Sequence, residues 1–288
     1  MEFMNLFDTI DIFDSCDMIV KKAKEPSGEM SSDTYGKKAI SKAGKTLAMV
    51  KEGDSTYHDA IKVLNYWRVL HAEPLMSLTD QLKQCTDDSI TVHRLKRLDS
   101  IVGKLKRFPD MDLYRMQDLG GCRAIVSSVG DVYDAVSAVK EFLVDFDIKR
   151  EYDYLENPKQ SGYRSYHIVC QYQQPVDNKS ILLEMQIRTE LEHVWATAIE
   201  VMGLYTKSSL KSSIGDSDIL RFFQIVSSLF ALEEGLPVVP NTSGFLDNLV
   251  SELYELDSKL NILSKVSSMA MAVDNDTTTK HSFDVGYY

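Results

Sequence analysis

Between residues 161 and 188 the chain reads SGYRSYHIVCQYQQPVDNKSILLEMQIR, two apolar runs with a polar residue at every second position. In the first run Tyr163, Ser165 and His167 fall on one side of a predicted strand, with Tyr166, Ile168 and Cys170 on the other. In the second, Glu184, Gln186 and Arg188 share a side, while Leu183, Met185 and Ile187 oppose them. A period of two belongs to a β-strand, whose side chains alternate across the sheet. Two such strands, joined by a turn at Asp177-Asn178, would set one face on a core and leave one ionisable, hydrogen-bonding face. That second face fits a half-exposed antiparallel sheet in water. It equally fits the floor of a site.

Elsewhere the pattern is mostly helical. Residues 1–20 predict a short amphipathic helix, and 22–54, rich in Lys, Ser and Gly, a loop or frayed helix. Ile61, Leu64, Trp67 and Leu70 place a helix at 56–71, and Pro74 predicts a break before another at 75–86. A basic segment carries a helix at 98–107; Gly120-Gly121 then lead into a strand, CRAIVSS, a helix at 130–143 and the run FDIKREYDYL. Helices follow the opening strands at 189–205 and 216–234, the latter carrying Phe222, Ile225, Val226, Leu229 and Phe230. Beyond Pro237 and Pro240, residues Phe245, Leu249, Leu253, Leu256, Leu260 and Leu263 recur at steps of three or four. That stripe predicts an amphipathic helix packed on its own domain. The organisation expected is an extension (1–55), a main domain (56–235), and a C-terminal helix with a polar tail (241–288).

Composition narrows the class. At 288 residues, 44% hydrophobic and 26% charged, the chain reads as an ordinary globular protein with room for one large domain. No apolar run approaches the roughly 20 residues that span a bilayer. The start, MEFMNLFDTIDIFD, is acidic and lacks the basic opening of a secretory signal. Four scattered cysteines (Cys16, Cys85, Cys122, Cys170) read as reduced thiols, so a cytoplasmic location is expected. A net charge of −11 weighs against a general nucleic-acid coat, and neither DNA nor a membrane is an expected partner. Charge is unevenly spread, however. From His93 to Arg107, six Lys or Arg residues face a single Asp. Such crowding points to a local polyanion partner, most often phosphate.

Within that segment Lys96, Ser100 and Lys104 are spaced by four and line one predicted helical face, with Leu98, Ile101, Val102 and Leu105 opposite. Two ammonium groups and a hydroxyl in a row suit a triphosphate, and Arg94 could lay its guanidinium on a base. The same residues also fit a solvated basic helix face. Phosphate transfer needs a divalent cation, and Mg²⁺ takes one or two carboxylates plus phosphate oxygens. Asp118 and Glu184 are the candidates. Asp118 alone could be a cap or turn residue; Glu184 sits inside an apolar run, where an ionised carboxylate is costly without a cation or donor. No G-x-x-x-x-G-K-[ST] loop is present, which argues against a P-loop enzyme. His193 and Glu200 read as a structural polar pair.

RLKRLDSIVGKL, MQDLGGCRAIV, NPKQSGYRSYH and LEMQIRTELEHVWATAIE, in this order, resemble the synthetase domain of the RelA/SpoT family over about residues 90–205. The resemblance implies an α/β (α+β) fold, a mixed central sheet of about five strands flanked by helices, nucleotidyltransferase-like, here with extra N- and C-terminal helices. It implies transfer of the β,γ-pyrophosphate of ATP to a ribose 3′-hydroxyl, typically of GDP or GTP, with Mg²⁺ as cofactor. By the same resemblance Arg94 lies on the adenine and Lys96, Ser100 and Lys104 along the ATP phosphates, with Arg123 close by. Asp118 and Glu184 hold Mg²⁺, and Glu184 helps deprotonate the attacking hydroxyl, oriented by Gln186 and Arg188. Tyr163 stacks on the acceptor base, with Lys159 and His167 near the acceptor's phosphates or ribose.

Bifunctional members add a helical hydrolase half with His and Asp ligands. The dipeptide His58-Asp59 has no histidine before it and reads as helix surface, so a stand-alone synthetase is expected. YWRVLHAEPL and ELEHVWATAIE resemble a branch that includes toxins of toxin–antitoxin and phage-defence systems. That branch leaves the acceptor open: a guanine nucleotide, an adenine nucleotide, or the 3′ end of tRNA, with an antitoxin as a further candidate partner. A basic surface using Lys207 and Lys211 would favour tRNA. A non-catalytic nucleotide-binding protein on the same fold is the remaining reading.

Overall fold

A computed structural model of the protein describes residues 34–266, apart from 87–88, 177 and 209. The helix expected at 1–20, Cys16, Asp177 and the polar tail lie outside the described residues. Two interleaved compact units form. Among the described residues, one comprises residues 34–152 together with Tyr166–Arg188; the other comprises Asp153–Ser165 and the chain from Thr189 onward.

The first unit holds helices α1 (Lys37–Met49), α2 (Ser55–Val69), α3 (Ala72–Gln84), α4 (Leu98–Arg107) and α5 (Val129–Phe142). Its strands are β1 (Ile90–Leu95), β2 (Gly120–Val126), β3 (Phe146–Asp153), β4 (Tyr166–Gln173) and β5 (Ser180–Thr189), in the order β1-β2-β5-β4-β3. The α/β architecture and its five-stranded sheet match the expectation. β1 pairs antiparallel with β2, and β4 with β5, with His167 opposite Gln186 and Val169 opposite Glu184. Burial follows the alternation: Leu183, Met185 and Ile187 are fully buried, whereas Glu184 and Gln186 are half-buried.

Several boundaries differ from the sequence expectation. α3 begins before Pro74, at Ala72. Proline fits a helix's first turn, where its missing N–H would have had no partner. β1 was not expected at all, because this edge strand buries none of its residues fully and has only a short, broken apolar alternation. Part of the Lys-rich stretch expected as loop or frayed helix forms α1, which buries Ile40, Ala43, Gly44 and Leu47.

The second unit holds α6 (Glu190–Thr206), α7 (Ser217–Glu233) and α8 (Leu246–Leu260). Thr189 and Glu192 form a reciprocal capping box at the start of α6. Trp195, Ile199, Phe222, Phe223, Val226, Leu249 and Leu253 share one core cluster, so the C-terminal stripe docks within its own unit. Arg221 reinforces that docking through paired bonds to Glu252, at 2.6 and 2.9 Å.

Tyr163 does not share a strand face with His167. β4 starts at Tyr166, and Tyr163 lies in the preceding loop of the second unit. Gly162 causes this turn-in: its φ of +95° suits glycine, and an added Cβ would stand 2.9 Å from the Ser227 Cβ and 3.0 Å from Trp195.

Candidate active site

Four strands of the first unit build one polar face. On β5, Glu184 and Gln186 lie side by side, and Gln186 Nε2 donates to Glu184 Oε2 at 2.7 Å. From β4, His167 Nδ1 meets Glu184 Oε1 at 3.0 Å. From β2, Arg123 Nε donates to Gln186 Oε1 at 3.2 Å. Arg94 on β1 pairs with Gly121, two residues from Arg123 and therefore on the same face of β2. Gly121 is required for close approach, since a Cβ there would stand 3.0 Å from the Glu184 carbonyl oxygen. Arg188, fully buried at the end of β5, completes the strand's polar series.

Asp118, just before β2, gathers the basic residues. Its Oδ2 accepts from Lys96 Nζ at 3.0 Å and Lys104 Nζ at 2.7 Å. The helical track expected from Lys96, Ser100 and Lys104 is corrected here. α4 begins at Leu98, so Lys96 sits in the connection before the helix, while Ser100 and Lys104 lie on it. The two lysines converge because they share a carboxylate.

Burial alone would push the Asp118 carboxyl up, but the two ammonium groups outweigh it and hold it below its ordinary 3.8. Burial also pushes Glu184 up; bonds from His167 and Gln186 overcome this and hold it below 4.5, although the neighbouring Asp118 charge opposes them. Both carboxyls are therefore ionised at neutral pH, and they are close enough to feel each other. Asp118 Oδ1 is buried with no hydrogen-bond partner. An ionised oxygen withdrawn from water without a donor is the kind of group a cation would satisfy. Among the described residues, no group of three or more His, Cys, Asp and Glu forms a cage for a metal. Two carboxylates fit Mg²⁺ that shares its coordination with phosphate oxygens.

Tyr163 and Lys159 belong to the second unit. Tyr163 is 2% exposed, with its ring packed near Trp195 and Tyr154. Lys159 Nζ lies 5.0 Å and Lys211 Nζ 4.9 Å from the ring centroid. Lys211 is also bonded to Glu200 at 2.6 Å. Glu200 is thus bonded to Lys211, one of the two lysines expected on a basic surface. Lys207 is exposed just past the end of α6.

Among the described residues no helix is long and apolar enough to cross a membrane. Cys85, Cys122 and Cys170 are free thiols. His58 and Asp59 lie on the exposed side of α2, as expected. Sequence reasoning did not single out Arg68, whose Nε donates to the Lys96 carbonyl at 2.7 Å; an isolated arginine at a helix end carries no periodic signal.

Comparison with known proteins bears on this geometry. Residues 93–209 match the family model described as the region found in RelA / SpoT proteins. The GTP pyrophosphokinase YjbM of Bacillus subtilis is 39% identical over 111 residues, covering 36% of this chain and 51% of that protein. The GTP pyrophosphokinase YwaC of the same organism is 33% identical over 115 residues, covering 37% of this chain and 54% of that one. The chain thus spans about half the length of these curated relatives. The crystal structure of small alarmone synthetase 1 from Bacillus subtilis bound to its product pppGpp aligns with a TM-score of 0.49 at 26% identity, covering 59% of this chain and 94% of that one. Every residue of the polar face lies inside the matched segment, whereas Arg68 lies upstream of it. Over residues 93–209, the chain is similar to the region found in RelA and SpoT proteins.

Proposed function

We propose that the protein is a pyrophosphokinase that moves the β,γ-pyrophosphate of ATP to the 3′-hydroxyl of a guanine nucleotide, GDP or GTP, making an alarmone. The observation that carries this reading is the paired carboxylates: Asp118 with two lysines on one oxygen and none on the other, and Glu184 ionised beside it. The names of the Bacillus subtilis relatives, both GTP pyrophosphokinases, support the choice of acceptor.

Pyrophosphoryl transfer needs positioning and charge neutralisation more than covalent help from the protein. Lys96 and Lys104 supply two ammonium groups for the donor phosphates, Ser100 a hydroxyl, and Arg94 and Arg123 flat guanidinium groups for the donor nucleotide. Mg²⁺ held by Asp118 and Glu184 would offset charge on the transferred group and make the acceptor hydroxyl more acidic. Glu184 receives the hydroxyl proton on its carboxylate. A carboxylate held below its ordinary pKa is a weak base, so it orients the hydroxyl first and takes the proton late. His167 and Gln186 fix both Glu184 oxygens, Arg123 fixes Gln186, and buried Arg188 supports the strand end. Within the second unit, Tyr163, with the Lys159 and Lys211 ammonium groups on its ring, is the proposed platform for the acceptor base.

The test offers labelled ATP with Mg²⁺ and GDP, GTP, ATP or deacylated tRNA. Label on a guanine nucleotide, with release of AMP, is expected. Label on tRNA alone would replace this reading with a toxin acting on the tRNA 3′ end. Nucleotide binding without any transfer would replace it with a non-catalytic binding protein.

A further inference from the structure

The matched region begins at residue 93, yet Lys96 is held from outside it. Arg68, in the last turn of α2, donates Nε–H to the Lys96 carbonyl at 2.7 Å across 28 positions of sequence. The Lys96 N–H donates to the Leu119 carbonyl at 2.8 Å. Leu119 directly follows Asp118, whose Oδ2 receives the Lys96 ammonium. Lys96 is therefore fixed on both sides of its Cα, in the short connection between the end of β1 and the start of α4. The Arg68 guanidinium is half-buried and makes no other hydrogen bond among the described residues. Partial burial of a cation is costly, and the bond to the Lys96 carbonyl offsets part of that cost while tying α2 to this connection.

We propose that Arg68 is a positioning residue for the donor site: it clamps the Lys96 main chain so that the Lys96 ammonium is delivered beside Asp118. The inference rests on the reading of Lys96 as a donor-phosphate cation. It also extends the working machinery upstream of the region shared with RelA and SpoT proteins, into α2.

Side-chain length provides the discriminating test. The Nε2 of glutamine stands the same number of bonds from Cα as the Nε of arginine, so Arg68→Gln keeps a donor in place without charge, while Arg68→Met removes it. Binding of a non-hydrolysable ATP analogue with Mg²⁺ is measured by calorimetry, alongside KM for ATP and for the acceptor. Arg68→Met is expected to weaken analogue binding about tenfold, equivalent to ~1.4 kcal/mol, with acceptor KM unchanged. Arg68→Gln is expected to restore most of that loss. In a Lys96→Ala background, Arg68→Met should change little further, because the group being positioned is gone.

Equal losses for Arg68→Gln and Arg68→Met would overturn the clamp in favour of direct contact between the guanidinium and phosphate. Full additivity with Lys96→Ala, or a parallel rise in both KM values with a lowered Tm, would also overturn it. Wild-type protein that binds the analogue and transfers nothing refutes the proposed function while the clamp stays measurable by binding. Wild-type protein that binds no nucleotide refutes both.

Discussion

Glu184 keeps its charge in a largely enclosed setting because His167 and Gln186 each take one of its oxygens. Glu184→Gln preserves the shape and removes the proton acceptor. Transfer is expected to fall by roughly two to four orders of magnitude, with the far-ultraviolet circular dichroism spectrum unchanged. The same residue has a pH signature. Its folded pKa lies below the ordinary 4.5, so the stability its ionised form contributes is complete above that value and is lost as pH falls through the folded one. Urea unfolding of wild type and Glu184→Gln should show the stability gap constant above 4.5 and narrowing as pH falls below it. A gap that widens on acidification would reverse the sign of the assignment.

Secondary structure and site were legible in the sequence to different degrees, and the reason is the range of the interactions. α4 falls at Leu98–Arg107, as expected, because Ile101, Val102 and Leu105 are buried together on one helical face. The Glu184–Gln186 pair was visible in strand alternation. The bond from Arg123 to Gln186, between residues 63 positions apart, and the Arg68 clamp were not, because nothing local encodes them. Tyr163 was placed one element too far along, since Gly162 turns the chain into the helical core before β4 begins. Gly162→Ala combines a left-handed φ with crowding against Ser227 and Trp195, and is expected to cost ~1–3 kcal/mol in urea unfolding. Leu253, fully buried where α8 joins the α7 cluster, is expected to cost ~2–4 kcal/mol on change to Ala. A loss below ~0.5 kcal/mol, within the range of ordinary surface substitutions, would argue that α8 does not dock there.

Across the whole chain, the sheet unit carries the residues assigned to the donor and metal, and the helical unit carries Tyr163, Lys159 and Lys211. The acid excess of the chain and the Glu200 partner of Lys211 both weigh against a polyanion as large as tRNA. The measurement to make is transfer from γ-labelled ATP in the presence of Mg²⁺, wild type beside Glu184→Gln, with product identity read by chromatography. Wild type should place the label on the 3′-hydroxyl of GDP or GTP with one AMP released per product, and Glu184→Gln should place almost none. Equal labelling by the two proteins, or ADP and inorganic phosphate as the only products, would contradict the assignment of Glu184 and the reaction built on it.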